Sequence, residues 1–401
     1  MGAQRRIEGL LGALGRRHRV TAVCFIDSDQ NAIAAEQAMG AYCHRVVLVR
    51  VKAKSKLDIR LRQMRLLLGG PRLERELSTS RAMQDALDRL LRASAFDVVL
   101  VEQPFIAHYR VRAAPSGRPV PLVVLDAHNI EHELVRRAGA VTRGPLRRLH
   151  YAVDWRKLRR EEVEAFAGSD GVAFTSRDDE RQALALCPSL QSTVVPNGVD
   201  VEYFRRRPDH PPPDGQTIVF FGTLGYFPNQ DGMLHFLGET WPRLQQLRPE
   251  VRLKIIGPRP TPEVLRHQGP RVEVTGRVDD LRPHLAGAAA IIVPLRVGGG
   301  TRLKIVEAMA MGRPIVSTTV GAEGIDAVPE RDLLIGDTPE AFAAQVCRLV
   351  DSPELGARIG ASARALAEQK YSWASVGDRL ERFLFQLRGA PVEAASAAGE
   401  S

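Results

Sequence analysis

The feature that most constrains the fold of this 401-residue chain is a repeated alternation of short apolar runs with helical segments. Runs such as "RVVLVRV" (45–51), "TIVFFGT" (217–223) and "AIIVPL" (290–295) are rich in Val and Ile and have no regular polar face. Strands that are buried on both faces have this composition, and helices between them connect parallel strands. The pattern therefore predicts an α/β protein with parallel sheets covered by helices.

The predicted strands form two series on either side of a proline-rich stretch, "RRRPDHPPPDG" (205–215), which has no helix or strand periodicity. Two such series predict two doubly wound, Rossmann-like domains facing each other across a cleft. The first series lies at 20–26, 45–51, 96–102, 121–127, 171–176 and 192–197, and the second at 217–223, 252–257, 272–276, 290–295, 314–318 and 333–336.

These series place an N-terminal domain at 1–200 and a C-terminal domain at 201–370. We expect a helix at 371–389 to pack back on the N-terminal domain, and the small, polar residues 390–401 to be disordered.

The first domain departs from the usual pattern at its start. Met1 is followed directly by a helical segment (2–18), whereas a doubly wound domain begins with a strand and a glycine turn. We expect the first strand, which is central in such a sheet, to be missing, with Gly2 as the remnant of the turn. Its absence would leave a gap in the sheet. Either the start codon is misassigned or another segment fills the place of the strand.

Composition limits the functional class. The net charge of +9 suits anionic substrates or an anionic membrane surface, while 5% aromatic residues and no zinc-finger spacing argue against nucleic-acid binding. The four scattered cysteines are typical of reduced core residues. No apolar run approaches the roughly 20 residues of a membrane span. The chain is expected to be cytoplasmic, with at most peripheral membrane contact.

The stretch "GGGTRLKIVEA" (298–308) joins a buried strand to an apolar helix. Glycine loops let a ligand approach the backbone, and free N–H groups at a helix start attract phosphate. Thr301 is the predicted N-cap, and Glu307 lies one turn past Lys304. The alternative is a tight turn with a surface ion pair between Lys304 and Glu307.

Three segments together resemble the retaining glycosyltransferases of family 4, which have the GT-B fold: "VVPNGVDVEYF" (194–204), "IVEAMAMGRPIVSTTVGAEGI" (305–325) and "YSWASVGDRLERFLFQL" (371–387). The resemblance covers nearly the whole chain. It implies a nucleotide-sugar donor bound mainly in the C-terminal domain and an acceptor bound mainly in the N-terminal one, where Gly2 is an acceptor-side residue. It also implies transfer with retention of configuration and no metal ion or other cofactor, the nucleotide sugar being a substrate.

The resemblance implies donor contacts for particular residues. Glu307 matches the acid that binds the ribose, whereas the preceding acid of the family's E-x7-E motif is replaced by Gly299. The usual cations after the first strand of this domain are also absent, and we hypothesise that Arg302 and Lys304 supply the charge. The remaining implied donor contacts are Gly222, Thr223, Arg277, Val278, Gly300, Thr301 and Leu303.

His128 follows a predicted strand in "LDAHNIEHE" (125–133), where open α/β sheets bind ligands. It matches the family's catalytic histidine, which contacts the donor sugar. A structural histidine that caps the turn is the alternative. His128, Glu131 and His132 also fit H-x-x-E-H, a zinc-peptidase pattern that needs two histidines on one helix and a third ligand that the sequence does not identify.

Two basic stretches, 50–68 and 142–162, are either membrane-surface contacts or solvated helix faces, and for the second we favour the solvated face. The sequence as a whole predicts a retaining, metal-independent hexosyltransferase that acts on a glycan or lipid-linked acceptor in cell-surface polysaccharide biosynthesis. The alternatives are a GT-B nucleotide-sugar epimerase, a catalytically inactive nucleotide-sugar-binding protein and, more remotely, the zinc peptidase.

Overall fold

A computed structural model describes residues 2–27, 31–51, 73–141, 144–298 and 301–389. These residues form two compact units, one from Met1–Pro196 together with Val376–Ser401 and the other from Asn197–Ser375. Every predicted strand is present, with ends that differ from the prediction by a few residues. Where strands end early, their last predicted residues form loops at the carboxyl end of the sheet.

The first unit contains two separate parallel sheets, of order β1-β2 and β3-β4-β5-β6. The described strands of this unit do not form one continuous sheet. The strands are β1 (Thr21–Asp27), β2 (Arg45–Val51), β3 (Val98–Glu102), β4 (Leu122–Ala127), β5 (Gly171–Phe174) and β6 (Ser192–Val194). The helices are α1 (Gly2–Leu14), α2 (Ala32–Gly40), α3 (Leu73–Ser78), α4 (Arg81–Ala93), α5 (Glu131–Val141), α6 (Pro145–Ala167) and α7 (Arg177–Leu186), with a 3-10 turn at Pro104–Ile106.

The second unit is one parallel six-stranded sheet of order β12-β11-β10-β7-β8-β9, with an apolar core on each face. The strands are β7 (Thr217–Phe221), β8 (Arg252–Ile256), β9 (Val272–Gly276), β10 (Ala290–Val293), β11 (Ile315–Ser317) and β12 (Leu334–Ile335). The helices are α8 (Phe227–His235), α9 (Trp241–Leu247), α10 (Pro262–Leu265), α11 (Arg282–Ala286), α12 (Leu303–Ala310), α13 (Thr319–Ala322), α14 (Pro339–Asp351) and α15 (Pro353–Leu366), with π-helical turns at Phe236–Thr240 and Ala367–Tyr371.

The last described helix, α16 (Trp373–Leu387), belongs to the first unit from Val376 onward and packs there against α1. A Cβ added to Gly377 would lie 2.5 Å from the Cβ of Ala13, so glycine permits this close approach. The buried Glu381 accepts hydrogen bonds from Nε2 of His18 (2.6 Å) and pairs with Nη1 of Arg17 (3.0 Å). Apolar contact and paired charges thus hold the two helices together.

Two expectations about the chain's setting can be compared with the structure. All four cysteines are free, as expected. Among the residues that the structure describes, no helix has both the length and the apolar character that a membrane crossing requires. Of the first basic stretch only Arg50 and Val51 are described, and the tail at 390–401 also lies outside the described residues.

Candidate active site

The first polar cluster lies where β3 and β4 end in the first unit. His128 directly follows β4, as predicted, and is 7% exposed. Its Nε2 lies 3.0 Å from Oε2 of Glu102, the last residue of β3, and 3.3 Å from Oδ2 of Asp126 in β4. Two neighbouring parallel strands thus bring two carboxylates to one ring nitrogen.

Arg6 neutralises the deeper of these carboxylates. Its guanidinium is 1% exposed and donates to both oxygens of Asp126, from Nε to Oδ2 (2.7 Å) and from Nη2 to Oδ1 (2.5 Å). Nη1 donates to the carbonyl oxygen of Pro196 (3.1 Å). Arginine favours such bidentate geometry because its fork matches a carboxylate.

The cluster forms an alternating chain of charges. Burial alone would lower the pKa of His128, but its hydrogen bonds to Asp126 and Glu102 raise it to about 9. Burial would raise the pKa of Asp126, yet Arg6 and His128 hold it well below its usual range. Burial and the charge of Asp126 raise the pKa of Glu102, and His128 and Arg6 oppose this shift. At neutral pH the imidazole of His128 is therefore protonated.

The zinc-peptidase geometry is not formed. Helix α5 begins at Glu131, so His128 precedes the helix and does not share a helical face with His132. The buried Glu162 accepts hydrogen bonds from the backbone N–H groups of Glu131 (2.8 Å) and His132 (2.9 Å), and its Oε2 lies 2.6 Å from Nδ1 of His132. His132 and Glu162 therefore stabilise the start of the helix.

Glu102, Asp126 and His128 also form the one group of described residues that proximity alone would allow to hold a metal ion. The donor set does not fit one. Both oxygens of Asp126 already accept hydrogen bonds from Arg6, and a cation bound there would lie against the guanidinium. The cluster is better described as a network of paired charges.

The second polar cluster lies beyond the end of β7 in the second unit. Gly222 has φ 150°, and a Cβ added there would lie 2.9 Å from Nδ2 of Asn229 and 3.1 Å from Nζ of Lys304. Gly257 has φ 153°, and a Cβ added to it would lie 1.9 Å from the carbonyl oxygen of Gly222. Both glycines are therefore required for the backbone to pass this close to the lysine.

Lys304 is held in this cluster by neutral groups. Its Nζ donates to Oδ1 of Asn229 (2.6 Å) and lies 4.2 Å from the ring centroid of Phe220. Nδ2 of Asn229 in turn donates to the carbonyl oxygen of Thr223 (2.9 Å). Burial and the charge of Arg302 lower the pKa of Lys304 to about 7, against the opposing effect of Glu307. The positive charge of Lys304, close to that of Arg302, is therefore unfavourable here, and an adjacent anion would stabilise it.

The prediction that Thr301 caps α12 is wrong, and the alternative of a surface ion pair after this loop is not formed. The N-cap of α12 is Arg302, whose backbone is extended and whose side chain does not cap, instead of Thr301. The carbonyl oxygen of Thr301 is held by Nδ2 of Asn197 (2.9 Å), which delays the helix start. Lys304 and Glu307 do not form a surface pair, because Lys304 turns toward Asn229 and Glu307 is only 4% exposed.

The other predicted donor contacts lie in the same unit or outside the described residues. Nη2 of Arg302 donates to the carbonyl oxygen of Val320 (3.2 Å) and lies 3.6 Å from Oε2 of Glu323. The exposed Arg277 and the half-buried Val278 follow β9 directly. Leu303 is the first residue of α12. Gly2, the predicted acceptor-side residue, is the first residue of α1 in the first unit. Gly299 and Gly300 lie outside the described residues.

Sequence reasoning missed Arg6, Glu102, Asp126 and Asn229. A signal existed for two of them, since Glu102 ends the apolar run "FDVVLVE" and Asp126 interrupts "PLVVLDA". A charge within an otherwise apolar strand requires a buried partner. Arg6 is one of many arginines, and no local pattern distinguishes Asn229.

Comparison with solved structures gives the class of fold. Sucrose-phosphate synthase from Thermosynechococcus elongatus superposes with a TM-score of 0.69 at 15% identity, covering 98% of this chain and 94% of that one. HepE of Anabaena, in complex with UDP and glucose, superposes with a TM-score of 0.62 at 14% identity, covering 99% and 96%. The fold is that of the GT-B glycosyltransferases, as the sequence predicted.

Family comparison goes further than the fold. The profile described as Glycosyltransferase Family 4 matches residues 1–203, and that of Glycosyl transferases group 1 matches 215–352. The chain belongs to glycosyltransferase family 4.

Two curated relatives match parts of the chain. A GDP-mannose-dependent monoacylated alpha-(1-6)-phosphatidylinositol monomannoside mannosyltransferase of Corynebacterium glutamicum is 26% identical over 209 residues, 47% of this chain and 55% of that protein. A D-inositol 3-phosphate glycosyltransferase of Streptomyces griseus is 38% identical over 91 residues, 21% of this chain and 18% of that protein. The chain thus spans about half the length of the first relative and under a fifth of the second.

Proposed function

We propose that the protein is a retaining glycosyltransferase that binds a nucleotide-sugar donor in its second unit and transfers a hexose-type sugar to a glycan or lipid-linked acceptor. The observation that carries this proposal is the ammonium group of Lys304, which neutral partners hold beside Gly222. A partly desolvated cation beside the half-buried Gly222, just past the carboxyl end of β7, suits the diphosphate of such a donor.

The rest of the donor site is built around this cation. Arg302 is already near Glu323, so Lys304 carries more of the charge that a diphosphate would require. The N–H groups at the start of α12 add the positive end of a helix dipole. Glu307, within the same helix, is the proposed partner of the ribose hydroxyls. Positive groups that face the leaving diphosphate would stabilise the charge that develops there.

The first unit contributes His128, which we propose as the catalytic side chain that acts on the transferred sugar. As an imidazolium it would donate hydrogen bonds and would not serve as a base. Retention without a carboxylate nucleophile is consistent with front-face transfer, in which the leaving phosphate accepts the proton of the acceptor hydroxyl.

The relatives suggest which donors and acceptors to test. The name of one relative specifies GDP-mannose and a phosphatidylinositol monomannoside, and that of the other an inositol phosphate. The Anabaena protein was solved with UDP and glucose. We therefore propose a cell-surface glycan or glycolipid as the product, made at the cytoplasmic side of a membrane.

A donor panel tests the proposed function. UDP, GDP and ADP are compared by thermal shift, and the matching nucleotide sugars are then incubated with the protein and candidate acceptors. One nucleoside diphosphate should raise the melting temperature, and its sugar should appear on an acceptor with its anomeric configuration retained. Binding without transfer or hydrolysis would indicate a binding protein, and conversion of the donor without acceptor would indicate an epimerase.

Binding of the nucleoside diphosphate should be coupled to proton uptake. Because the pKa of Lys304 is about 7, much of the lysine is neutral at pH 8, and an adjacent diphosphate would favour its protonated form. Titration calorimetry at pH 8 in buffers of different ionisation enthalpy should show uptake of up to one proton. In Lys304→Met this uptake should disappear. Equal heats in all buffers for the wild type would contradict the assignment of Lys304 to the phosphate.

Transfer should not depend on a metal ion. The cluster at His128 is internally neutralised by Arg6, and Lys304 would supply the positive charge that a cation often gives to a diphosphate. Dialysis against EDTA should therefore leave the rate of donor turnover unchanged within about twofold. A loss of activity that added Mg²⁺ or Zn²⁺ restores would refute metal independence.

A further inference from the structure

The charged cluster of the first unit is not uniformly buried. Arg6, Asp126 and His128 are 1%, 0% and 7% exposed, whereas the side chain of Glu102 is 23% exposed. Glu102 is therefore the member of this cluster that is most accessible to a substrate.

Protein groups already engage both ring nitrogens of His128. Nε2 lies at hydrogen-bond distance from Glu102 (3.0 Å) and close to Asp126 (3.3 Å), and Nδ1 lies 3.2 Å from the side-chain amide nitrogen of Gln103. The amide can present either its oxygen or its NH2 group, so Gln103 can serve the neutral or the protonated ring. A sugar hydroxyl that contacts His128 therefore has to share or displace one of these partners.

The backbone at Gln103 is strained in a way that creates this arrangement. Its φ of 82° is in a region that side chains rarely adopt, and its N–H donates to the carbonyl oxygen of Asp126 (3.1 Å). This turn lets two consecutive residues, Glu102 and Gln103, reach opposite nitrogens of one ring. Strain of this kind persists where the surroundings require it, and it concentrates at functional sites.

We propose that Glu102 is a substrate-binding residue of the first unit, whose Oε1 accepts a hydrogen bond from a hydroxyl group of the sugar or polyol acceptor. This inference rests on the proposed function and deepens it. Oε2 is held by His128, while within the described part of the chain no hydrogen bond to Oε1 occurs. Asp126 and Arg6 act as positioning residues, because they hold the ring of His128 against this carboxylate.

Charge supports the assignment. Arg6 neutralises Asp126, so the protonated ring of His128 has Glu102 as its remaining counter-ion. An ionised carboxylate is a stronger acceptor of a hydroxyl hydrogen than a neutral group. Recognition of a hydroxyl group by a carboxylate also discriminates between acceptor molecules. An acceptor that lacks this hydroxyl would leave Oε1 of Glu102 without a hydrogen-bond donor.

The test compares Glu102→Gln with the wild type. Glutamine has nearly the same shape as glutamate, but its amide oxygen accepts hydrogen bonds more weakly than a carboxylate oxygen. Its NH2 group can also donate a hydrogen bond where the carboxylate could only accept one. The matched control is Glu36→Gln, which changes an exposed carboxylate on α2 of the same unit. Each variant is assayed for UDP and GDP binding and for transfer from the matching nucleotide sugar to glycerol, myo-inositol and methyl glycosides, with mass-spectrometric detection.

Glu102→Gln should reduce kcat/KM for the alcohol acceptor by about 10- to 150-fold, mainly through KM, while nucleoside diphosphate affinity stays within twofold. Glu36→Gln should behave as the wild type. Equal transfer by Glu102→Gln, or no transfer by the wild type to any alcohol despite nucleotide binding, would overturn the inference. If no nucleotide binds to the wild type, the proposed function itself fails. Should Glu102→Gln not fold, Glu102→Asp replaces it, with the same expected direction.

Discussion

Replacing Lys304 with methionine should lower the affinity for UDP or GDP by about 10- to 150-fold, the equivalent of one hydrogen bond to a charged group. The same change should leave the melting temperature unchanged or raise it. Folding lowers the pKa of Lys304 from 10.5 to about 7, so between these pH values the folded state binds fewer protons than the unfolded state. The lysine therefore destabilises the fold most below pH 7. This destabilisation decreases as the pH rises from 7 toward 10.5. Methionine fills similar space without a charge.

The control for this variant is Lys370→Met, which removes an exposed ammonium that lies 3.1 Å from Oδ2 of Asp326 in the same unit. It should alter neither nucleotide affinity nor melting temperature by a measurable amount, because exposed ion pairs contribute little. If Lys304→Met binds the nucleotide as tightly as Lys370→Met does, the ammonium of Lys304 has no part in donor binding.

Replacing Arg6 with methionine should lower the free energy of unfolding by about 3 to 5 kcal/mol, because the protonated ring of His128 is then left to neutralise two carboxylates, those of Glu102 and of Asp126, which is 0% exposed. Urea unfolding at pH 7 measures the change. Arg5→Met, an exposed neighbour on α1, is the matched control and should change the stability by less than about 0.5 kcal/mol.

A double variant tests whether the effect is electrostatic. Asp126→Asn combined with Arg6→Met should recover part of the lost stability, since no buried charge remains unpaired. If the free energy of unfolding of Arg6→Met is within about 1 kcal/mol of the wild-type value, the ion pair between Arg6 and Asp126 does not stabilise the cluster. The same holds if the destabilisations by Arg6→Met and Asp126→Asn add up in the double variant.

The sequence specified the strands well because Val- and Ile-rich runs of this length fit only a buried sheet, and it placed His128 correctly because parallel strands gather polar residues at their carboxyl ends. The sequence did not predict hydrogen bonds between side chains that are far apart along the chain. The contact of Lys304 with Asn229 joins residues 75 positions apart, and that of Arg6 with Asp126 joins residues 120 positions apart. Local spacing indicated Glu307 as a partner for Lys304 in one of two alternatives.

Capping shows a second limit of local reasoning. Threonine is a preferred N-cap residue, so Thr301 was the natural choice by residue type. Asn197 instead holds the carbonyl oxygen of Thr301, and the helix begins at Leu303. A tertiary hydrogen bond thus overrides a local preference, and Arg302 takes the capping position with its side chain turned toward Val320.

A crystal structure with UDP-glucose or GDP-mannose bound tests the central claim most directly. The account predicts diphosphate oxygens within about 3.2 Å of Nζ of Lys304 and of N–H groups at the start of α12, with ribose hydroxyls at Glu307. A nucleotide sugar that binds outside this cluster, or with its diphosphate away from Lys304, would contradict it.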